Sequence, residues 1–263
     1  MRIYKSSNFL SDFTRLIFPF LISIACVSIV SAATYTVTKT ADTNGTCSFG
    51  NCSLREAIAA ANSTTANDTI NFNIPTSDSG CSGGVCTITL SSSLGQLTIN
   101  SGSGTLTITN VGGAQRIEIS GNNATRVFLL NTGANLTINN VTVRNGNPGG
   151  NGGGILNSGT LTMTNCTVSG NTGGNGGGIY NGGTLTMTNC TVSGNSAGGG
   201  GGIRNFGTLT MANCTVSGNR PAASAAVFTT EAQSTRGIRL SQIIVLRLVV
   251  LILLERSPRK EIT

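Results

Sequence analysis

The sequence has no histidine and no tryptophan, and only 10% of its residues are charged. Residues 119–219 contain neither Asp nor Glu. Catalysis by paired carboxylates and binding of Ca²⁺ both need acidic side chains that converge on one point. These residues therefore cannot form such a site, and imidazole is excluded as a catalytic base or metal ligand throughout the chain. The few aromatic residues predict no platform on which a sugar ring would stack.

Residues 1–32 have the pattern of a secretory signal peptide. Basic residues precede the apolar stretch "LIFPFLISIACVSIV", and "VSA" supplies small residues before the expected cleavage point. The alternative is an N-terminal membrane anchor, but the apolar stretch is short for a membrane span. We expect export, with a location that is secreted or on the outer cell surface.

Nearly all of the net charge of +7 belongs to the two ends of the chain. Residues 33–219 carry six basic and five acidic residues, whereas residues 220–263 hold seven of the sixteen Lys and Arg. A basic patch on the central domain is the expected sign of a nucleic-acid or anionic-lipid partner. Its absence predicts no nucleic-acid partner, and membrane contact only through the signal peptide or the tail.

An eleven-residue sequence recurs three times at a period of 24 residues. "LTMTNCTVSGN" occupies residues 161–171 and 185–195, and "LTMANCTVSGN" occupies residues 209–219. Within each unit, short runs of alternating apolar and polar residues predict three strands separated by Asn and Gly corners. The sequence therefore predicts an all-β fold, a right-handed parallel β-helix with 24-residue coils. A β-sandwich or a propeller is the alternative fold.

Equivalent residues of successive coils are expected to stack in ladders about 4.8 Å apart. The segment "LTINNVTVRNGN" (136–147) matches the repeat with Val141 at the cysteine position, which indicates that the cysteines pack as small core residues. A metal or redox role for these thiols is the alternative. The asparagines are expected to stack at one corner, where the left-handed backbone suits Asn. The two predicted ladders are Cys166, Cys190, Cys214 and Asn165, Asn189, Asn213.

Residues 51–62, "NCSLREAIAAAN", form the one predicted helix. Ser53 is a candidate N-cap, and Glu56 three residues later completes a capping box. Ile58 lies on the apolar face that would cover the first coil of the β-helix. The alternative gives Arg55 and Glu56 a catalytic role as a pair. We therefore assign residues 33–80 to an N-terminal strand and capping helix, and residues 81–219 to the β-helix.

The segment "CSLREAI" (52–58) resembles the N-terminal motif of the bacterial secreted proteins named for the letters CSLREA. It is preceded by "TYTVTKTADT" and followed by "DTINF", as in that motif. The "GGGI" and "SGN" segments resemble the Gly-Gly-Ala-Ile and Phe-x-x-Asn repeats of polymorphic outer membrane proteins. Both resemblances imply secreted or surface-displayed right-handed β-helices of bacterial origin.

Four cysteines before the repeats form two close pairs, Cys47 with Cys52 and Cys81 with Cys86. Each pair would close a small loop in an oxidising compartment, as expected for an exported protein. The pairing itself cannot be deduced from the sequence.

Two functional hypotheses follow. The first is a structural or adhesin-like surface protein without catalysis or cofactors, whose partners are glycans or host or neighbouring surface proteins. The second is a polysaccharide-degrading enzyme resembling pectate lyases, which share the β-helix fold. The charged candidates for a common outer face are Arg116, Glu118, Arg126 and Arg144.

The tail, residues 220–263, departs abruptly from the repeat. Its apolar stretch "IIVLRLVVLILL" is short for a membrane anchor and contains Arg247. When each codon is read one nucleotide early, synonymous choices exist for which residues 226 onward spell "GIYNGGTINARNTIIANNS". The first seven letters repeat residues 178–184. We therefore predict a frameshifted tail that packs poorly and leaves the edge at 205–219 exposed.

Overall fold

A computed structural model describes residues 31–111 and 115–221, together with the backbone of residues 228–230. Most of the predicted signal peptide and most of the predicted tail lie outside these residues. The described part forms one helix, α1 (Leu54–Asn62), and 23 strands. In chain order the strands are β1 (Thr34–Val37), β2 (Thr69–Phe72), β3 (Cys81–Ser82), β4 (Val85–Thr89), β5 (Leu97–Ile99), β6 (Thr105–Thr109), β7 (Arg116–Ser120), β8 (Phe128–Leu130), β9 (Asn135–Asn139), β10 (Val141–Arg144), β11 (Ile155–Asn157), β12 (Thr160–Thr164), β13 (Thr167–Ser169), β14 (Thr172–Asn175), β15 (Ile179–Asn181), β16 (Thr184–Thr188), β17 (Thr191–Ser193), β18 (Ser196–Gly199), β19 (Ile203–Asn205), β20 (Thr208–Ala212), β21 (Thr215–Ser217), β22 (Arg220–Pro221) and β23 (Phe228–Thr230).

The described strands form four sheets. The first sheet has the order β1-β2-β6-β9-β12-β16-β20, and the second has the order β3-β4-β7-β10-β13-β17-β21. The third sheet runs β5-β8-β11-β15-β19-β23, and the fourth runs β14-β18-β22. The named strands pair in parallel except in the β3–β4 hairpin, because each strand lies beside its equivalent one coil later. The predicted parallel β-helix is confirmed.

The 24-residue register brings identical side chains together in the core. Leu161 pairs with Leu185 and Met163 with Met187, and all four side chains are fully buried. Each fully buried aliphatic side chain stabilises the fold by about 1.5–3 kcal/mol. The apolar ladders therefore specify the register, because a slip by one residue would turn every one of them outward.

Two further ladders in the interior consist of asparagine and were not predicted from the sequence. One lies at the end of the third-sheet strands, where Asn157 Nδ2 donates to Asn181 Oδ1 at 2.6 Å. The other follows the second-sheet strands, where Asn171 Nδ2 donates to Asn195 Oδ1 at 2.9 Å. These four asparagines are fully buried, and their amides bond to one another along the axis. Alternation alone did not distinguish an inward asparagine from one at a corner.

The predicted corner asparagines adopt the left-handed backbone, with φ near 53° at Asn165, 54° at Asn189 and 52° at Asn213. Asn189 Nδ2 donates to Asn165 Oδ1 at 3.2 Å, and Asn165 Nδ2 donates to Asn140 Oδ1 at 3.1 Å. All three predicted residues are exposed, in contrast to the buried ladders.

The expectation of three strands per coil is wrong for the last coils, which contain a fourth. The glycine stretch between corners forms β14 and β18, and the same sheet continues into β22. Glycine is depleted in strands, so the composition of this stretch did not predict a strand. The backbones approach so closely that a Cβ on Gly153 would lie 2.3 Å from the carbonyl oxygen of Gly177. Glycine at this position therefore permits the close pairing of the coils.

Helix α1 packs against β1, β2 and β5 at the start of the β-helix. Ser53 Oγ accepts from the Glu56 backbone N–H at 3.2 Å, and Glu56 Oε2 accepts from the Ser53 N–H at 2.8 Å. This capping box fixes the start of the helix. Ile58 is buried on the inner face of α1.

The first and second sheets end at β20 and β21 within the described residues. Leu209 and Met211 are partly exposed there, whereas the equivalent Leu185 and Met187 are fully buried. The third sheet continues, because β23 pairs with β19 and sets Phe228 opposite Ile203. The described tail residues thus contribute backbone pairing to the third sheet through β23 and to the fourth sheet through β22, whereas β20 and β21 remain the exposed edges of the first and second sheets.

Candidate functional site

The five carboxylates among the described residues each have a structural partner. Asp42 forms an ion pair with Arg55 at 2.8 Å, and Glu118 forms one with Arg144 at 2.5 Å. The remaining three accept hydrogen bonds, and these acceptors are Glu56, Asp68 and Asp78. No group of three or more His, Cys, Asp or Glu within the described residues has an arrangement that could hold a metal ion.

The candidate pair Arg55 and Glu56 is held in the N-terminal cap. Besides its ion pair, Arg55 donates to the carbonyl oxygens of Gly95 at 2.6 Å and Gln96 at 3.1 Å, and so connects α1 to the loop before β5. Burial alone would raise the pKa of Glu56, but hydrogen bonds from Ser53, Thr43 and Gly45 outweigh it and lower that pKa. Both side chains therefore have structural roles in these contacts.

The cysteine ladder, Cys166, Cys190 and Cys214, lies buried in the second-sheet corner. Thr142 of β10 pairs with Thr167 of β13. The residues directly before them, Val141 and Cys166, therefore occupy equivalent positions on successive coils. The hydrogen bond with Cys166, together with burial, raises the pKa of Cys190 to about 11, so this thiol is neutral at neutral pH. The earlier cysteines form the two disulfides Cys47–Cys52 and Cys81–Cys86.

The four charged candidates for a common outer face do not lie together. Arg116, Glu118 and Arg144 belong to neighbouring strands of the second sheet. Arg126 instead precedes the third sheet, where it donates to the carbonyl oxygens of Asn151 at 2.7 Å and Gly152 at 2.9 Å. The expectation of a shared face is wrong for Arg126, because a corner separates it from β7 and β10.

The outer side of the third sheet carries an aromatic cluster instead. The ring centroids of Tyr180 and Phe206 lie 5.3 Å apart with a tilt of 37°. The Arg204 guanidinium carbon lies 4.8 Å from the Phe206 centroid, within the range of a cation–π contact. We call Tyr180, Arg204 and Phe206 the aromatic patch. It corrects the expectation that the chain offers no aromatic platform.

Register explains how the aromatic patch forms. Tyr180 on β15 pairs with Arg204 on β19, and Phe206 follows at the end of β19. Because the residues lie on successive coils and are far apart in the sequence, their contact could not be predicted from the sequence. One signal was available, since the units "GGGILNSGT", "GGGIYNGGT" and "GGGIRNFGT" differ at just two positions. Both variable positions map to the patch.

Polar groups border the aromatic patch on the side of the fourth sheet. Asn175 Nδ2 donates to Asn151 Oδ1 at 2.9 Å, which forms a short amide ladder beside β15. A Cβ on Gly199 would lie 2.5 Å from Arg204 Nη1 and 2.7 Å from Asn175 Oδ1. Glycine there leaves room for the guanidinium and the amide to stand side by side next to the rings.

None of the helices in the described residues has the length and hydrophobicity to span a membrane. No curated protein and no solved structure matches the chain. Residues 76–237 match the family described as the right handed beta helix region, which also agrees with the predicted hand of the coils. The match covers more than half of the chain, and the protein therefore belongs to the right-handed β-helix family.

Proposed function

We propose that the protein is exported or displayed on the cell surface, where it binds glycans through the aromatic patch without catalysing their cleavage. The contact between Tyr180 and Phe206, with Arg204 against the second ring, carries this proposal. Aromatic rings offer rigid apolar surface for the C–H faces of a sugar. The Arg204 guanidinium against the Phe206 ring adds a polar edge to that surface.

Two features support export. The N-terminal residues have the pattern of a signal peptide. The disulfides Cys47–Cys52 and Cys81–Cys86 suit an oxidising compartment. Host or neighbouring surface proteins are the other partners that such a location would offer, and an adhesin-like role includes both.

Polysaccharide cleavage is the alternative, because the family includes both enzymes and non-catalytic proteins. A β-helix lyase or hydrolase would need free carboxylates near its substrate. In the described residues the carboxylates are engaged in caps, turns and ion pairs, and Glu118 is the one acidic side chain beyond the N-terminal strands. This engagement favours binding over catalysis.

A glycan-array screen of the purified protein tests the proposal, followed by titration calorimetry with the best ligand. We expect Tyr180→Ala and Phe206→Ala each to weaken binding about tenfold, which corresponds to about 1.4 kcal/mol. Phe49→Ala is the matched control, because Phe49 is a fully exposed aromatic residue in the N-terminal loop. Its affinity should equal that of the unaltered protein.

Two results would contradict the proposal. One is the absence of any glycan ligand, or a ligand whose affinity is unchanged in both patch variants. The other is the release of new sugar ends from a polysaccharide incubated with the protein, which would establish catalysis.

A further inference from the structure

The outer side of the first sheet presents a regular array of threonine. Strand β12 carries Thr160, Thr162 and Thr164, and these pair in register with Thr184, Thr186 and Thr188 of β16. The outward residues of β6, β9 and β20 continue the same three rows, with threonine at most positions. We call the outward residues of these five strands the threonine face.

The spacing of the threonine face is set by the β-helix itself. Neighbouring strands lie about 4.8 Å apart, and alternate residues along a strand lie about 6.8 Å apart. The array is therefore a two-dimensional lattice of hydroxyl and methyl groups. Both distances are close to repeat distances between oxygen atoms on the prism face of hexagonal ice.

The chemistry of the threonine face is uniform. No charged or aromatic residue occurs among the outward residues of the five strands. The first threonine of β12 and of β16 is exposed and the other two on each strand are partly exposed, and their hydroxyls have no hydrogen-bond partner within the described residues. Each hydroxyl can both donate and accept, as a water molecule of a lattice does.

We infer that the threonine face binds ice. An uncharged face complements an uncharged lattice of water, whereas an anionic or cationic surface would favour basic or acidic side chains. One threonine contributes little, but contacts held at fixed spacing act together once the first is made. The rigid ladders below the face keep the threonines in place before binding, so little conformational entropy is lost.

This inference goes beyond the glycan binding proposed above, because it concerns a different face and a different ligand. The second sheet provides an internal comparison. Its strand β17 has threonine and serine outside, Thr191 and Ser193, but offers just two outward positions per strand. The second sheet also carries the Glu118–Arg144 ion pair on its earlier strands. A lattice match is therefore expected for the first sheet and not for the second.

The test uses the purified full chain with ice as the probe. Growth of single ice crystals and recrystallisation of polycrystalline ice are followed at increasing protein concentration. We expect faceted crystals and inhibited recrystallisation. Thr186→Tyr should lower the activity at least tenfold, since a large side chain at the centre of the face separates it from the lattice. Thr191→Tyr should leave the activity unchanged.

Circular dichroism verifies that each variant folds, and Thr186→Lys replaces Thr186→Tyr if the latter does not. Tyr180→Ala should retain full activity on ice, which separates this inference from glycan binding. Ice that grows as in buffer alone would overturn the inference. Equal loss of activity in the folded Thr186 and Thr191 variants would overturn it as well, as would binding of the face to crystalline cellulose without an effect on ice.

Discussion

Replacing Asn181 with leucine tests whether the buried amides form one coupled ladder. Asn181 accepts from Asn157 Nδ2 at 2.6 Å and donates to Asn205 Oδ1 at 2.5 Å. Its Nδ2 also donates to the carbonyl oxygen of Thr208 at 3.0 Å. Leucine has the same branching and the same number of side-chain heavy atoms as asparagine but can make none of these bonds, so the substitution removes the hydrogen bonds while keeping the shape of the side chain.

The expected loss follows from the number of bonds removed. A hydrogen bond between neutral buried groups contributes a net of about 0.5–1.5 kcal/mol, and a buried group left without its partner costs about 1–3 kcal/mol. Asn157 Nδ2 retains a bond to the carbonyl oxygen of Thr184 at 2.9 Å, whereas Asn205 Oδ1 loses the Asn181 donor. We therefore expect Asn181→Leu to lower the free energy of unfolding by about 2–4 kcal/mol.

Changing all three ladder residues to leucine should cost less than the three single changes added together. In the earlier coils, Ile99 and Leu130 occupy the same inward position, so an aliphatic ladder fits there. When all three asparagines are replaced, no amide of the ladder is left without its hydrogen-bond partner. Residues that share a network typically show interaction energies of about 0.5–3 kcal/mol. The three residues are Asn157, Asn181 and Asn205.

Urea unfolding followed by circular dichroism gives the free energy of each variant by linear extrapolation. The three single variants and the triple variant are compared with the unaltered protein under the same conditions. Strict additivity of the four values would refute the coupling argument. A single variant as stable as the unaltered protein would refute the estimate of the bonds themselves.

Further predictions concern the cap, the thiols, acid stability and the tail. Ile58→Asp should lower the melting temperature and promote aggregation, since it buries a charge under α1, whereas Ala59→Asp on the exposed side should not. Valine at all three positions of the cysteine ladder should leave the melting temperature nearly unchanged, and a lost metal or lost fold would contradict packing. Because the pKa of Glu56 is lowered in the fold, its carboxylate stabilises the protein above the usual range near pH 4.3, and this contribution falls as acid protonates it. Unfolding free energies at a series of acidic pH values should therefore decline less for Glu56→Gln. The codons of residues 226–232 should spell the repeat in the neighbouring frame, and any other peptide there would exclude the frameshift.

The sequence was sufficient to predict the β-helix because its strongest signal is a period. Leu161, Leu185 and Leu209 can share one environment only if the chain returns to the same place every 24 residues. The capping box was equally local, since Ser53 and Glu56 are three residues apart. Features with a short-range or strictly periodic cause could therefore be predicted from the sequence alone.

Features that depend on the contacts between neighbouring coils could not be predicted from the sequence. The buried ladder through Asn181 was not predicted, because the alternating pattern does not show whether an asparagine at the end of a strand points into the core. The fourth sheet depends on the absence of Cβ atoms at residues such as Gly153 rather than on strand propensity. Tyr180 and Phe206 meet because β15 and β19 pair, although the two variable positions of the repeat marked them.

The C-terminal edge connects the predicted frameshift with the structure. An open edge with unpaired backbone groups and partly exposed core residues favours the addition of another strand. The neighbouring-frame peptide "GIYNGGTINARNTIIANNS" would supply it, because at the 24-residue period it sets isoleucine opposite Leu209, asparagine opposite Asn213 and isoleucine opposite Val216. These are the residue types that the inward ladders and the corner require. In the chain as it stands, Phe228 lies opposite Ile203 at a separation of 25 residues, one residue more than the 24-residue period between β15 and β19. A coil restored in the predicted frame would regain that period and cover β20 and β21, which is the physical reason to expect that the β-helix once continued.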